Sequence, residues 1–187
     1  GAVVDLDKAE NAIRRAVDAA ERMAGVTVES LIVTQTAGRL SSEAFGATVD
    51  LDMGSVREAD IRRVLAAAGR HNITDGRCAL HALPIGYTLD GQEGIRDPRG
   101  MVGDVLGVDV NVVTADRAAQ DNMALAINRC HLDVDGVVAA PYASGLAALV
   151  DDEAELGAAC VDIGGGTATI AIFSEGNLVH VDGIAIG

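Results

Sequence analysis

The residues best suited to chemistry form the run Asp162-Ile-Gly-Gly-Gly-Thr167, which joins two predicted strands. Three successive glycines can adopt positive φ angles and can bring backbone N–H groups against a phosphate. Thr167 can add a hydroxyl donor, and Asp162, at the end of a strand, can hold Mg²⁺ through water. The run therefore predicts a phosphate-binding loop, although a glycine-rich hairpin without a ligand would have the same sequence.

Other nucleotide-binding motifs fit this run less well. A dinucleotide-binding loop opens a helix, but residues 167–173 alternate in polarity like a strand. A P-loop requires a Gly-Lys-Ser or Gly-Lys-Thr run, and no lysine lies near these glycines. A glycine turn between two strands remains, and this kind of phosphate site is typical of actin-type ATP folds.

A second segment agrees with that interpretation. Residues 141–149 read Pro-Tyr-Ala-Ser-Gly-Leu-Ala-Ala-Leu and predict a helix with small side chains. Small residues allow the backbone of a neighbouring lobe to approach, as is needed where two lobes meet at a nucleotide. A tightly packed core helix explains the same run equally well.

The remaining reactive residue types predict no catalytic site. The four histidines share no metal-ligand spacing, and the three cysteines have no Cys-x-x-Cys pair. No Gly-x-Ser-x-Gly motif occurs either. The residues concerned are His71, His81, His131, His180, Cys78, Cys130 and Cys160.

Composition excludes nucleic acid as a partner and a segment that spans a membrane. The chain of 187 residues carries 14 basic and 28 acidic residues, a net charge of −14 that repels nucleic acid. With two Phe, two Tyr and no Trp, it also lacks stacking platforms for single strands. No apolar run is long enough to span a bilayer. The sequence therefore predicts a globular protein of the reducing cytoplasm, and the absence of an initiating Met suggests a piece of a longer chain.

The hydrophobic pattern predicts alternating helices and strands. Residues 7–23 predict a helix capped by Asp7, with a buried stripe at Ala9, Ala12, Ile13, Ala16, Val17 and Ala20. Strands are predicted at 30–36, 41–51, 77–89, 108–114, 136–140, 157–163, 167–173 and 178–186. Further helices are predicted from Ser55, capped with Glu58, from Asp116 to Cys130, and over residues 143–150. Residues 90–103 predict a loop and 151–155 a solvated acidic linker.

Taken in order, these segments resemble the bacterial FtsA family. The resemblance rests on four runs and covers essentially the whole chain: residues 128–132 (Asn-Arg-Cys-His-Leu), 141–146 (Pro-Tyr-Ala-Ser-Gly-Leu), 162–167 and 97–103 (Asp-Pro-Arg-Gly-Met-Val-Gly). Residues 60–65 and 80–84 add to it. The glycine run alone also occurs in related chaperones. The resemblance is specific because all of these runs occur together and in this order along the chain.

The resemblance implies an α/β, actin-like fold, present in part, with an inserted strand-helix-strand-strand (SHS2) module called subdomain 1C. Residues 1–38 would be part of subdomain 1A, and residues 39–115 would form 1C. Residues 116–155 would return to 1A and include a connecting helix, and 156–187 would begin subdomain 2A with the phosphate hairpin. Asp162, Gly164, Gly165, Gly166 and Thr167 would then bind ATP, with Mg²⁺ held by Asp162 through water.

The resemblance also implies partners. Members of the family polymerise, contact FtsZ through subdomain 2B, attach to the inner face of the cytoplasmic membrane at the septum through a C-terminal amphipathic helix, and receive later division proteins such as FtsN through 1C. By this resemblance, 2B, that helix and the adenosine-binding segments would follow residue 187, and a first phosphate hairpin would precede residue 1. We therefore expect the 187 residues alone to bind ATP weakly or not at all, and to self-associate.

Two other functions stay open at this point. A pilus-assembly-type actin-like ATPase would share the inserted module but would be expected to lack the run Asp97-Pro-Arg-Gly-Met101. A sugar or acetate kinase of the same superfamily would place a catalytic acid and a substrate cleft between the lobes, and neither is identifiable here. If the family resemblance holds, ATPase activity is weak at most.

Overall fold

The computed structural model describes residues 2–52, 54–69 and 73–186. His71, one of the histidines considered above, lies outside these ranges. Within them the chain forms helices α1 (Leu6–Ala24), α2 (Glu58–Ala68), α3 (Arg117–Asn128), α4 (Ala140–Ala148) and α5 (Asp151–Leu156). The strands are β1 (Ser30–Gln35), β2 (Ser41–Asp50), β3 (Arg77–Leu89), β4 (Gln92–Ile95), β5 (Val105–Asp116), β6 (Asp133–Ala139), β7 (Ala158–Ile163), β8 (Ala168–Ser174) and β9 (Asn177–Ile184).

Two sheets organise the described residues. Strands β1 and β6 pair in parallel, from Ser30 opposite Asp133 to Gln35 opposite Ala139. The other seven strands pair antiparallel in the order β4-β3-β5-β2-β9-β8-β7. The middle and C-terminal parts of that sheet meet at one pair, Ser41 of β2 opposite Asp182 of β9. The connection from β1 to β6 therefore contains the whole middle segment, as expected for an inserted module.

The middle segment follows the predicted order of strand, helix, strand and strand. Helix α2 lies on one face of β2 and β5, and its buried residues Ile61, Val64 and Ala68 pack on Val108 and Val110 of β5. Alternate residues of β5 face this helix because successive side chains point to opposite faces of a sheet. The hydrophobic period of α2 thus fixes which face of the sheet becomes the core of this segment.

Two details of the middle segment differ from the sequence prediction. Ser55 and Glu58 do not cap α2, because the helix begins at Glu58 and the Asp60 carboxylate accepts a hydrogen bond from the Arg57 N–H at 3.0 Å. The predicted loop over residues 90–103 contains the short strand β4, which pairs with the end of β3. Both errors concern short segments in which turn geometry, rather than hydrophobic period, decides the structure.

A second core joins the middle segment to the C-terminal strands. It contains Val113 and Ala115 of β5, Ala139 at the end of β6, and Phe173 and Val181 from β8 and β9. Strand β5 therefore contributes to both cores, which explains why its second half is buried on both faces. This shared strand fixes the C-terminal hairpins, including the glycine run, relative to the middle segment.

Helix α1 is less buried than its amphipathic pattern predicts. None of its residues is fully buried, and Ala12, Ala16 and Ala20 of the predicted stripe are exposed. The helix packs against α3, which covers only part of the stripe. Its cap is Asp5, whose carboxylate accepts a hydrogen bond from the Lys8 N–H at 3.0 Å, so the prediction of Asp7 is wrong.

The acidic segment is a helix and not a linker. Residues 151–156 form α5, and the Glu153 carboxylate accepts a hydrogen bond from the Val150 N–H at 3.1 Å. Acidic side chains in a first turn are stabilised by the free N–H groups of a helix N-terminus. Among the described helices, none has the combination of length and apolarity that a transmembrane span requires.

Candidate functional site

The glycine run forms the turn between β7 and β8. Ile163 pairs with Ala168 at the ends of the two strands, and the Gly164 N–H donates a hydrogen bond to the Thr167 carbonyl at 2.8 Å. Gly165 and Gly166 lie at the exposed tip of the turn. The run thus has the predicted position, in a turn that joins two antiparallel strands.

Neither backbone conformation nor packing explains why the tip of this turn is glycine. None of the three glycines, all within the described residues, has a positive φ, so the turn does not use the left-handed conformation that glycine allows. A Cβ added to Gly165 or Gly166 would meet no atom within 4 Å. Glycine in place of alanine costs stability, about 0.5–1 kcal/mol where the backbone is regular. The backbone of Gly165 and Gly166 is exposed and no side chain covers it, so an anionic group such as a phosphate has room to approach.

Asp162 lies at the base of the turn and is held from a helix. The Ser144 hydroxyl of α4 donates a hydrogen bond to the Asp162 carboxylate, with 3.3 Å between the two oxygens. Asp162 as a whole residue is half-buried. On the neighbouring strand, the hydroxyl of Thr169 is buried without a hydrogen-bond partner. The Asp162 carboxylate fits the predicted role of holding Mg²⁺ through water, since Mg²⁺ prefers oxygen ligands.

Helix α4, which carries Ser144, packs closely against β8. A Cβ added to Gly145 would lie 2.3 Å from the Phe173 ring, so only glycine allows this contact. The Tyr142 ring stacks on Phe173, with 6.2 Å between ring centroids. The small residues of α4 therefore serve close helix-to-strand packing, which is the structural alternative that the sequence left open.

A histidine of the middle segment contacts the same helix. His81 of β3 accepts a hydrogen bond on Nε2 from the Ala139 N–H at 2.9 Å, and its ring lies edge-on to Tyr142. Burial lowers the pKa of His81, so the neutral, accepting form is favoured. The sequence did not single out His81, because nothing in its local pattern indicates a partner on β6.

A cavity of about 290 Å³ opens beside the glycine turn. Its lining residues come from the end of β1, the start of α3, the glycine turn and the end of β9: Thr36, Ala37, Gly38, Arg39, Asp116, Ala119, Gly166, Thr167, Gly183 and Ile184 among them. Ligands of α/β proteins commonly bind at the carboxyl ends of parallel strands. The sequence therefore identified the turn but missed the residues that face it from β1 and α3.

An ion-pair cluster forms one wall of this cavity. The Arg39 guanidinium donates two hydrogen bonds of 2.8 Å to the Asp116 carboxylate, and Arg77 lies 3.4 Å from the same carboxylate. The hydrogen bonds from Arg39, together with the charges of Arg39 and Arg77, hold the pKa of Asp116 below its usual range. Asp116 precedes α3 as predicted, but its side chain binds these arginines and does not cap the helix.

No group of three or more His, Cys, Asp and Glu residues that could hold a metal ion occurs in the part of the chain that the structure describes. Any Mg²⁺ at Asp162 would therefore take most of its ligands from a bound phosphate and from water.

Comparison with known proteins identifies the family. Residues 37–114 match the family model described as the SHS2 domain inserted in FtsA. The chain is 57% identical over all its 187 residues to the cell division protein FtsA of Rhizobium meliloti, 40% identical over 186 residues to that of Pseudomonas aeruginosa, and 34% identical over 180 residues to that of Escherichia coli K12. The chain belongs to the FtsA family.

This FtsA-family chain spans less than half the length of the curated relatives it matches. All of the chain aligns with 42% of the R. meliloti protein and 45% of the P. aeruginosa protein, and 96% of it with 43% of the E. coli protein. The match of the inserted domain and the mixed α/β structure confirm the predicted α/β class with an SHS2 insertion. The actin-like architecture of the remaining residues stays a prediction. The predicted subdomain boundaries and site residues stay predictions.

Among solved structures, a chain of a PilM-PilN type IV pilus biogenesis complex is similar over 78% of this chain and 40% of its own length. The identity is 15% and the TM-score is 0.44. A likeness at this level carries no argument about function, so the pilus-assembly alternative gains nothing from it.

Proposed function

We propose that this chain is part of an ATP-binding, actin-like scaffold for bacterial cell division. In the full-length protein, the scaffold would polymerise, bind FtsZ filaments through subdomain 2B and attach them to the inner face of the cytoplasmic membrane at the septum. Residues 39–115 would receive later division proteins such as FtsN. The observation that carries the proposal is the 57% identity to an FtsA cell division protein along the whole chain.

The proposed nucleotide site is the turn between β7 and β8. Backbone N–H groups of Gly165 and Gly166 would face the phosphates, and the Thr167 hydroxyl would add a donor. Gly164, whose N–H donates to the Thr167 carbonyl, would line the site and hold the turn closed. Two findings support this assignment: the open space above Gly165 and Gly166, and the position of the Asp162 carboxylate at the base of the turn. Mg²⁺, when bound, would neutralise phosphate charge, and Asp162 would orient it through water.

Co-pelleting of the full-length protein tests the scaffold role directly. GTP-assembled FtsZ filaments, lipid vesicles and the protein are mixed and sedimented, with vesicles alone and filaments alone as controls. The proposal predicts that the protein brings FtsZ filaments into the vesicle fraction. If the protein is folded but no more FtsZ sediments with the vesicles than in its absence, the proposal is contradicted. The FtsZ and membrane assignments would then both be wrong.

A further inference from the structure

Arg39 lies in the same cavity as the glycine turn, although the two are far apart in sequence. The cavity is lined by Gly166 and Thr167 on one side and by Arg39 and Asp116 on the other. Among the described residues that line it, Arg39 alone carries a positive charge. In a chain with a net charge of −14, a local cation is needed if an anion is to bind here.

Among the described residues, the side chain of Arg39 is held only by Asp116 and is largely exposed, whereas its backbone is bonded to a partly buried arginine. Its side chain is 81% exposed, whereas the Arg39 carbonyl accepts a hydrogen bond from Arg77 at 2.9 Å. Arg77 is only 18% exposed and also binds Ser41 and Thr114, so it anchors the start of β2. The guanidinium of Arg39 can therefore turn without displacing the strand that follows it.

Asp116 does not depend on Arg39 alone for its charge balance. Arg77 lies 3.4 Å from the Asp116 carboxylate and would remain there if Arg39 moved away. An ion pair whose cation is this exposed to solvent contributes little to stability. If Arg39 exchanged the Asp116 carboxylate for a phosphate oxygen, the folded protein would therefore lose little stability.

We propose that Arg39 is a second phosphate-binding residue of the glycine turn. Its guanidinium leaves Asp116 and donates hydrogen bonds to a phosphate held at Gly166 and Thr167. Arginine suits this role because its planar fork binds two oxygens of a phosphate at once. At about 290 Å³ the cavity takes a phosphate-sized group, since sites for whole small ligands usually measure about 300–1,000 Å³. This inference rests on the proposed nucleotide site.

Binding of Mg-ATP, inorganic tripolyphosphate and adenosine to the full-length protein tests the role of Arg39. Arg39→Ala should weaken binding of ATP and tripolyphosphate by about tenfold or more, because a charge-assisted hydrogen bond is lost. Adenosine affinity should stay within about twofold. Arg39→Lys should lie between wild type and Arg39→Ala, since it keeps the charge and loses the fork. Arg99→Ala, which removes an equally charged, half-exposed side chain paired with Glu58 and Asp97, is the control and should not change binding.

The possible failures can be told apart. If wild type binds ATP and Gly165→Val does not, but Arg39→Ala binds like wild type, the Arg39 inference is wrong and the nucleotide site stands. Equal loss of adenosine and ATP in Arg39→Ala would also overturn the inference, because it would indicate general damage. If wild type binds neither ATP nor tripolyphosphate, the proposed site and the inference both fall.

Discussion

The hydroxyl of Ser144 and the carboxylate of Asp162 lie 3.3 Å apart and share a hydrogen bond. Ser144 belongs to α4, and Asp162 to the strand that leads into the glycine turn. The orientation of the only carboxylate assigned to the nucleotide site is thus set from a helix that also contacts β3 and β8.

Ser144→Ala should weaken Mg-ATP binding by the full-length protein about two- to tenfold, the effect of losing a hydrogen bond worth about 0.5–1.5 kcal/mol. Because Asp162 is proposed to act through Mg²⁺, the difference from wild type should disappear when EDTA replaces Mg²⁺. Ser144→Thr keeps the hydroxyl and serves as the matched control. An equal loss of affinity with and without Mg²⁺ would contradict the assignment of Asp162.

Gly145→Ala should destabilise the protein, because the new Cβ would lie 2.3 Å from the Phe173 ring. Overpacking of this kind costs typically about 1–3 kcal/mol. The urea midpoint of the full-length protein should fall, and hydrogen exchange should accelerate in α4 and β8. Gly136→Ala is the control, since a Cβ there meets no atom within 4 Å. The combination Gly145→Ala with Phe173→Leu should lose less stability than the two single changes added together; strict additivity would show that the two residues do not touch.

His81 should make stability depend on pH below its ordinary pKa of about 6.5. Its pKa is lowered in the folded protein by burial, so the unfolded chain binds a proton first as the pH falls. Stability contributed by the neutral ring is therefore complete above about pH 6.5 and is lost as the pH falls through the lowered pKa. His81→Gln should remove this part of the pH dependence, and an NMR titration should find the His81 pKa below 6.5. A His81 pKa at or above 6.5 would be evidence against the neutral acceptor role toward Ala139.

The strength of the hydrophobic period decided how well the fold could be predicted. Helix α2 has a clear period and one obvious face, and strand β2 alternates weakly; both lie close to their predicted positions. Helix α1 has an equally clear period, yet its stripe is half covered. Periodicity identifies an apolar face, but the extent of its burial depends on which other elements reach it.

The candidate site was predictable only where its residues are adjacent in sequence. The glycine run is a local motif, and both strands around it were predicted. Arg39 and His81 reach the site through the pairing of distant strands, such as Ser41 with Asp182, and no local pattern encodes that contact. The sequence could not show whether the glycines use positive φ angles, and the turn closes through the Gly164 to Thr167 hydrogen bond without them.

The most direct test of the account is calorimetric titration of Mg-ATP into full-length wild type, Gly165→Val and Gly86→Val. A Cβ meets no atom within 4 Å at either glycine, so both variants should fold with stability close to wild type. The account predicts that wild type and Gly86→Val bind alike, and that Gly165→Val binds at least about tenfold more weakly, a difference of about 1.4 kcal/mol. Equal affinity in all three proteins, or no binding by folded wild type, would contradict the claim that this turn holds the phosphates.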